Sequence, residues 1–304
     1  MRDYSDESLL VGVALVGFGG PRTLREVAPM FQRIFGEAPV PTHVLESGRK
    51  KYELIGGASP LPGIAEEIAE KLRTRLRADV SPGMQYSKPL IDDAVEALAK
   101  AGCEVLVYLS MTPFHSRSAF TAPFQQLREA ARKRGCKAYT AQPIGLTDEY
   151  VMATAISLCQ VLRDAPEAEV LFVAHSLPLD GSEDTALYER ELRNAAEQVM
   201  RRFANNDQRP WTLAYTSRGA RGAAWLGPDA AEAVAQARER GAQSIVVSPL
   251  GFATDHMEVL YDLDIKLKAQ VEEAGLEYRR AETLGASDGA LEAYVRVVEE
   301  ALRP

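Results

Sequence analysis

Residues 171–178 read Leu171-Phe172-Val173-Ala174-His175-Ser176-Leu177-Pro178. An unbroken apolar run of this kind suits a strand covered on both faces. Pro178 has no backbone N–H to give to a ladder, so the strand must stop close to His175. One of only 4 histidines in the chain therefore stands at a strand exit. A second stretch, Ala14-Leu15-Val16-Gly17-Phe18-Gly19-Gly20-Pro21, has the same layout. Laid proline on proline, the two stretches put Phe18 where His175 stands. A longer pair, EALAKAGCEVLVYLSMTPF (96–114) and EAVAQARERGAQSIVVSPLGF (232–252), repeats the likeness in the same order. One structural plan is thus written twice.

The remaining pattern agrees with that plan. Strands are expected at 9–18, 104–111, 169–174, 211–217 and 244–250. Helices are expected from Thr23, with Leu24, Val27, Met30, Phe31 and Ile34 on one side, then at 64–76, 90–101, 184–203 and 229–240. A last polar helix follows Phe252. Alternating strands and helices give a parallel α/β sheet in each half. The expected fold is two similar Rossmann-like domains, 9–160 and 161–286, each a parallel sheet flanked by helices. In open sheets of this class ligands bind beyond the carboxyl ends of the strands, and Phe18, Ser116, His175 and Phe252 all lie just past such ends. Two such domains facing one another would form an interdomain cleft there.

A formal net charge of −8 gives no basic footprint for nucleic acid. Cys103, Cys136 and Cys159 are widely spaced and form no CxxC, as expected of reduced thiols in a cytoplasmic protein. The opening residues Met1 to Ser8 are polar and acidic, unlike a signal peptide. No apolar run nears the roughly 18 residues that a membrane span needs. Peripheral membrane contact remains compatible with the sequence. Gly17-Phe18-Gly19-Gly20 lacks the third glycine of a dinucleotide fingerprint, because position 22 is Arg.

Two candidate groups carry chemistry. His175 is either a hydrogen-bonded core histidine or a base and metal ligand working near neutral pH. Past the last strand, Glu258, Asp262 and Lys266 are spaced to share one face of an α-helix. That face is either a solvated one with an Asp262–Lys266 pair, or it presents Glu258 as a ligand or proton acceptor with Asp262 behind it. One His and one Glu are too few for a tight structural metal site, but enough to hold a divalent ion briefly. His43 is expected on a surface helix or loop.

Several short stretches together resemble the ferrochelatase family, enzymes that insert ferrous iron into a porphyrin. They are Tyr52-Glu53-Leu54-Ile55-Gly56-Gly57-Ala58-Ser59-Pro60-Leu61, Gly83-Met84-Gln85-Tyr86 with Pro89, and Ala174-His175-Ser176-Leu177-Pro178. The likeness continues through Trp211 to Arg218, Trp225-Leu226-Gly227-Pro228, and Gly251-Phe252 to Asp264. The resemblance implies haem synthesis, with His175 and Glu258 sharing proton removal and metal delivery. It implies porphyrin contacts at Phe18, Tyr52, Ser59, Met84, Tyr86, Trp225 and Phe252, and support from Asp255, His256 and Asp262. It also implies that helix 287–302 joins the first domain, that Fe2+ is a substrate, that no cofactor is tightly bound, and that the protein is a monomer.

The sequence departs from the family in four places. Phe18 stands where many coproporphyrin-using relatives have tyrosine. Phe35-Gly36 replaces an arginine pair of those relatives. Pro113-Phe114-His115-Ser116 replaces the usual PQYS, which leaves His115 without an assigned role. Lys266 ends the acidic stripe. No cysteine follows Cys159, so no iron–sulfur cluster is expected. The lost tyrosine and arginine pair point to protoporphyrin IX, with coproporphyrin III as the alternative. A non-catalytic porphyrin- or haem-binding protein on the same scaffold is the reading from a different class.

Overall fold

A computed structural model of the chain describes residues 9–203, 209–219 and 224–303. The polar stretch 1–8 and most of the Gly/Arg loop after residue 217 lie outside the described residues. The chain forms two compact units: Met1–Thr112 with Arg117–Ile144 and Gly285–Pro304, and Pro113–Ser116 with Gly145–Leu284.

In the first unit β1 (Val11–Gly17), β2 (Asp79–Met84), β3 (Val105–Ser110) and β4 (Lys137–Thr140) form a parallel sheet in the order β2-β1-β3-β4. The helices are α1 (Val27–Phe35), α2 (Thr42–Leu54), α3 (Leu61–Leu76), α4 (Ile91–Lys100) and α5 (Ala122–Lys133). His43 lies on α2, in keeping with the expected surface helix or loop. Ala14, Val16, Leu106 and Tyr108 from the two central strands pack on Ile91, Val95 and Leu98 of α4 and on Leu127 of α5. Burying each such aliphatic side chain contributes about 1.5–3 kcal/mol. The C-terminal helix of this unit (Asp288–Leu302) packs on α3 and β3. It is held there by an Arg75–Asp288 ion pair and by Lys71 Nζ donating to Ala286 O at 3.0 Å.

The second unit contains α6 (Asp148–Leu162), β5 (Glu169–His175), α7 (Glu183–Arg201), β6 (Trp211–Thr216), α8 (Ala230–Glu239), β7 (Ser244–Ser248), α9 (Lys268–Glu273) and β8 (Glu277–Arg280). Its sheet runs β6-β5-β7-β8, the same order as the first, with β5 in the place of β1. Similar hydrogen bonds tie the strand exits in both sheets, with the donor one register position further along in the second. Met111 N donates to Val16 O, and Gly251 N donates to Val173 O. Val16 and Val173 each lie two residues before Phe18 and His175, as the overlay requires. After the second strand of each sheet the chain folds back through proline: Met84 N donates to Pro89 O at 2.8 Å, and Tyr215 N to Pro228 O at 3.0 Å. The chain is therefore built from two parallel four-stranded sheets, each flanked by helices.

Three findings differ from the sequence expectation. The reading put a boundary at 160/161, whereas α6 clusters with the second unit, where it packs on α7 and β7 and Tyr150 Oη donates to Leu250 O at 2.9 Å. Strands β2, β4 and β8 had no expectation at all. They sit at sheet edges, as β6 does, but unlike WTLAYT they read DVSPGM, KAYT and EYRR, too short or too polar to show an apolar run. The helix after Phe252 begins as a π-helix, Glu258–Leu267, before α9. Its i→i+5 bonding turns each side chain through less than the α-helix step. Over eight residues that offset accumulates, and Lys266 is exposed while Asp262 is buried.

Candidate active site

The chemistry-bearing residues of the second unit converge at the carboxyl end of β5. His175 is the last residue of that strand, paired in register with Thr216 of β6. Ser176 N closes the ladder on Thr216 O at 2.8 Å, and Ser176 Oγ donates to Leu226 O at 2.9 Å. The chain then leaves through Pro178, which turns the imidazole out of the sheet. Tyr188, on α7, donates its hydroxyl to His175 O at 3.0 Å and fixes the main chain of the histidine. Burial holds that phenol far above its usual pKa, with smaller contributions from Tyr215 and Glu258, so it acts as a donor only.

Glu258 opens the π-helix, and its Oε2 lies 3.0 Å from His175 Nδ1. The His175 and Glu258 side chains are 38% and 25% exposed, so solutes reach both. Burial pulls the His175 imidazole down. The Glu258 carboxylate, by its charge and its hydrogen bond, and the charge of Asp262 outweigh that, and the net shift is upward. His256 behaves in the opposite way. Burial, assisted by the charge of His175, holds it below its ordinary value against the pull of Glu258, Asp255 and Asp262. It is therefore neutral near pH 7, with Nδ1 buried and unpartnered among the described residues. Its ring lies 5.1 Å from that of Phe252, which is itself buried.

Behind this pair, Asp262 accepts from Ser217 Oγ at 2.6 Å. Ser217 follows directly on Thr216 and has φ +62°, a left-handed backbone that side-chain-bearing residues rarely adopt. Asp255 accepts from Thr283 Oγ1 at 2.8 Å and lies 3.8 Å from the Arg280 guanidinium. Arg280 also grips Asp264 on the π-helix, with contacts of 2.5 and 2.9 Å. Asp255 is thus a brace for the entry to the π-helix. His115 engages Glu191 of α7 through both its main-chain N and its Nδ1, at 2.9 and 2.6 Å, one helical turn from Tyr188.

The first unit gathers the other sequence candidates around the exit of β1. Phe18 is 40% exposed and its ring lies 4.8 Å from that of Tyr86, tilted by 58°. Gly20 N donates to Ser87 Oγ, and Ser59 N to Pro21 O at 2.8 Å, which brings Ser59 against the loop. A Cβ on Gly20 would come within 2.3 Å of Ser59 Cβ, so only glycine fits there. Tyr52 and Met84 are core residues of this unit, with Tyr52 Oη against Met30 Sδ at 3.9 Å. Trp225 bridges to Pro178 in the second unit. Tyr188, Ser217 and Glu191 had no signal as individual residues in the sequence. A tyrosine at helical spacing, a serine after a strand and a glutamate on a helix are each unremarkable until folded.

Comparisons with known proteins identify the family. The family model described as Ferrochelatase matches residues 10–302. A coproporphyrin III ferrochelatase of Mycobacterium marinum is 30% identical over 285 residues, covering 90% of this chain and 82% of that one. A ferrochelatase of Synechococcus elongatus is 31% identical over 300 residues, covering 88% and 76%. A coproporphyrin III ferrochelatase of Oceanobacillus iheyensis is 28% identical and covers 96% and 97%. Among solved structures, SirB from Bacillus subtilis with Fe3+ superposes with a TM-score of 0.63 at 13% identity, over 97% of this chain and 96% of that one. CbiX superposes with a TM-score of 0.56 at 17% identity, over 97% and 100%. At such identities these two establish the chelatase fold alone. Among the described residues, no helix is long and apolar enough to cross a membrane. The family model spans nearly the whole chain, and the chain belongs to the ferrochelatase family, the metal chelatases that insert iron into porphyrin.

Proposed function

We propose that this ferrochelatase uses His175 and Glu258 as its catalytic and iron-handling pair and protoporphyrin IX as its porphyrin. The observation that carries the proposal is the 3.0 Å contact between His175 Nδ1 and Glu258 Oε2. With Nδ1–H donated to the carboxylate, Nε2 keeps its lone pair for a pyrrole N–H. Insertion of Fe2+ releases two pyrrole protons. His175 accepts one, and the imidazolium that forms is stabilised by Glu258 at its back. The remaining carboxylate oxygen is the complementary proton acceptor and a hard ligand for incoming Fe2+. The raised pKa of His175 makes it a stronger base than a free imidazole.

Of the porphyrin contacts expected from the sequence, Phe18 and Tyr86 in the first unit and Trp225 in the second keep accessible surface, whereas Tyr52, Ser59, Met84 and Phe252 are buried and would shape those positions from behind. Phe18 and Tyr86 are the pair best suited to a flat macrocycle, since a tilted aromatic pair with an exposed face offers stacking area. His256 and Asp255 support Glu258, and Asp262 backs it. Iron is a substrate, with no resident cofactor. Phenylalanine at position 18 offers iron no ligand, which favours protoporphyrin IX. Coproporphyrin III is the second reading, favoured by the printed names of the Mycobacterium marinum and Oceanobacillus iheyensis relatives.

Purified protein is mixed anaerobically with Fe2+ and either porphyrin, and the Soret band is followed. Faster metallation of protoporphyrin IX is expected. Faster metallation of coproporphyrin III reverses the substrate assignment, and binding without metallation supports a carrier instead. Metallation unaffected by His175→Ala removes the proposed pair.

A further inference from the structure

Ser217 combines two features that the reaction chemistry above does not use. Its backbone is left-handed at φ +62° although it carries a side chain. Its hydroxyl makes a 2.6 Å bond to a carboxylate, Asp262, that is only 6% exposed. A serine held in this conformation persists only where its surroundings over-determine it, and such residues cluster at functional sites. Glycine would occupy the position at no steric cost.

The position explains what the strain achieves. Ser217 is the residue after Thr216, and Thr216 lies in register beside His175. Asp262 lies four residues after Glu258 on the π-helix. The Ser217–Asp262 bond therefore ties the strand edge that sets His175 to the helix that carries Glu258, across 45 residues of sequence. In an extended conformation the Ser217 side chain would point differently relative to the sheet, and the bond would be lost. We infer that Ser217 is a positioning residue of the chelatase reaction: its left-handed turn aims the hydroxyl at Asp262 and so fixes the π-helix at the distance where Glu258 meets His175.

The inference rests on the assignment of His175 and Glu258 as the reacting pair. Its test separates the two. Ser217→Gly keeps the turn, relieves the strain and deletes the hydroxyl. Its melting temperature should equal or exceed that of the parent. Its kcat for porphyrin metallation should fall about tenfold or more, as expected of a loosened reacting pair, with porphyrin KM changed less than about twofold. Ser217→Ala should lose kcat similarly but melt lower than Ser217→Gly, because alanine retains the left-handed penalty. Adding Ser217→Gly to Asp262→Ala, which leaves no acceptor, should cost little further kcat, since Ser217 acts on the site through its bond to Asp262. Amide hydrogen exchange across 258–262 should quicken in Ser217→Gly despite its unimpaired melting. Parent-like kcat in Ser217→Gly overturns the inference, as does a kcat loss that is fully additive with Asp262→Ala. If the parent protein metallates neither porphyrin, the proposed function fails instead. The amide exchange then decides the inference alone, and unchanged exchange refutes it.

Discussion

Replacing Gly251 by alanine tests how tightly the end of β5 is held. Gly251 follows β7 and donates its N–H to Val173 O at 3.0 Å, against the strand that ends at His175. A Cβ built there lies 2.5 Å from Ala174 Cβ and 2.7 Å from Ala174 Cα. Ordinary contact begins at 3.4 Å, so the two chains must separate by 3.4 − 2.5 = 0.9 Å. No flexible side chain is present to absorb this, since the clash is with a methyl group and main chain. Overpacking of this kind costs about 1–3 kcal/mol. At about 2–4 °C per kcal/mol, melting should fall by several degrees. The larger effect is on chemistry. Ala174 precedes His175, and a shift of about 1 Å in a reacting group can cost about 100-fold in rate. Thermal melting and anaerobic metallation kinetics should both be measured, with Gly63→Ala as control. Gly63 lies on α3 with open space around its Cβ, and alanine there should stabilise slightly. Parent-like melting and kcat in Gly251→Ala would refute the claim that close approach of the β7 exit sets the histidine.

Three further predictions follow from the same geometry. Glu258→Gln should lower the pKa of His175, because burial alone pulls it down and the carboxylate is what raises it. Since the folded value is raised, the stabilisation from this pair is complete below the ordinary histidine pKa and is lost as pH climbs through the raised one. Imidazole NMR titration measures this, and an unmoved or higher titration in Glu258→Gln contradicts the assignment. Arg280→Ala should destabilise the protein by about 1.5–3 kcal/mol in urea denaturation, because the half-buried Asp264 and Asp255 lose their shared cation. A loss under about 1 kcal/mol would mean that the pair behaves as a surface one. Glu191→Gln weakens a two-point grip on His115 and should cost about 1–3 kcal/mol while leaving kcat within twofold, since neither residue belongs to the proposed reacting pair. A large loss of kcat at unchanged stability would place His115 in the reaction.

The duplicated plan was legible because β1, β3, β5 and β7 are covered on both faces and flanked by neighbours, which forces near-continuous apolar runs. Strand β2 was not, because Pro82 and Gly83 break up its short sequence DVSPGM; the edge position, where it pairs only with β1, tolerates that proline. Strands β4 and β8, read as KAYT and EYRR, are short edges of the same kind. The widened helix at Glu258 was read as an α-helix because spacings of i and i+4 lie near one face in either coil. Its consequence, a buried Asp262 and an exposed Lys266, appears only when the turn angle is known.

His175 was identified by its sequence alone as a histidine at a strand exit, and Glu258 as a carboxylate past another. Local burial and strand-stopping residues write such features into short stretches, so periodicity recovers them. That His175 Nδ1 meets Glu258 Oε2, that Tyr188 holds the histidine carbonyl and that Ser217 reaches Asp262 were decided by tertiary structure. Those contacts join residues 13 to 83 positions apart. They depend on strand register, a coil of unusual pitch and one left-handed serine, and none of these leaves a periodic trace in composition.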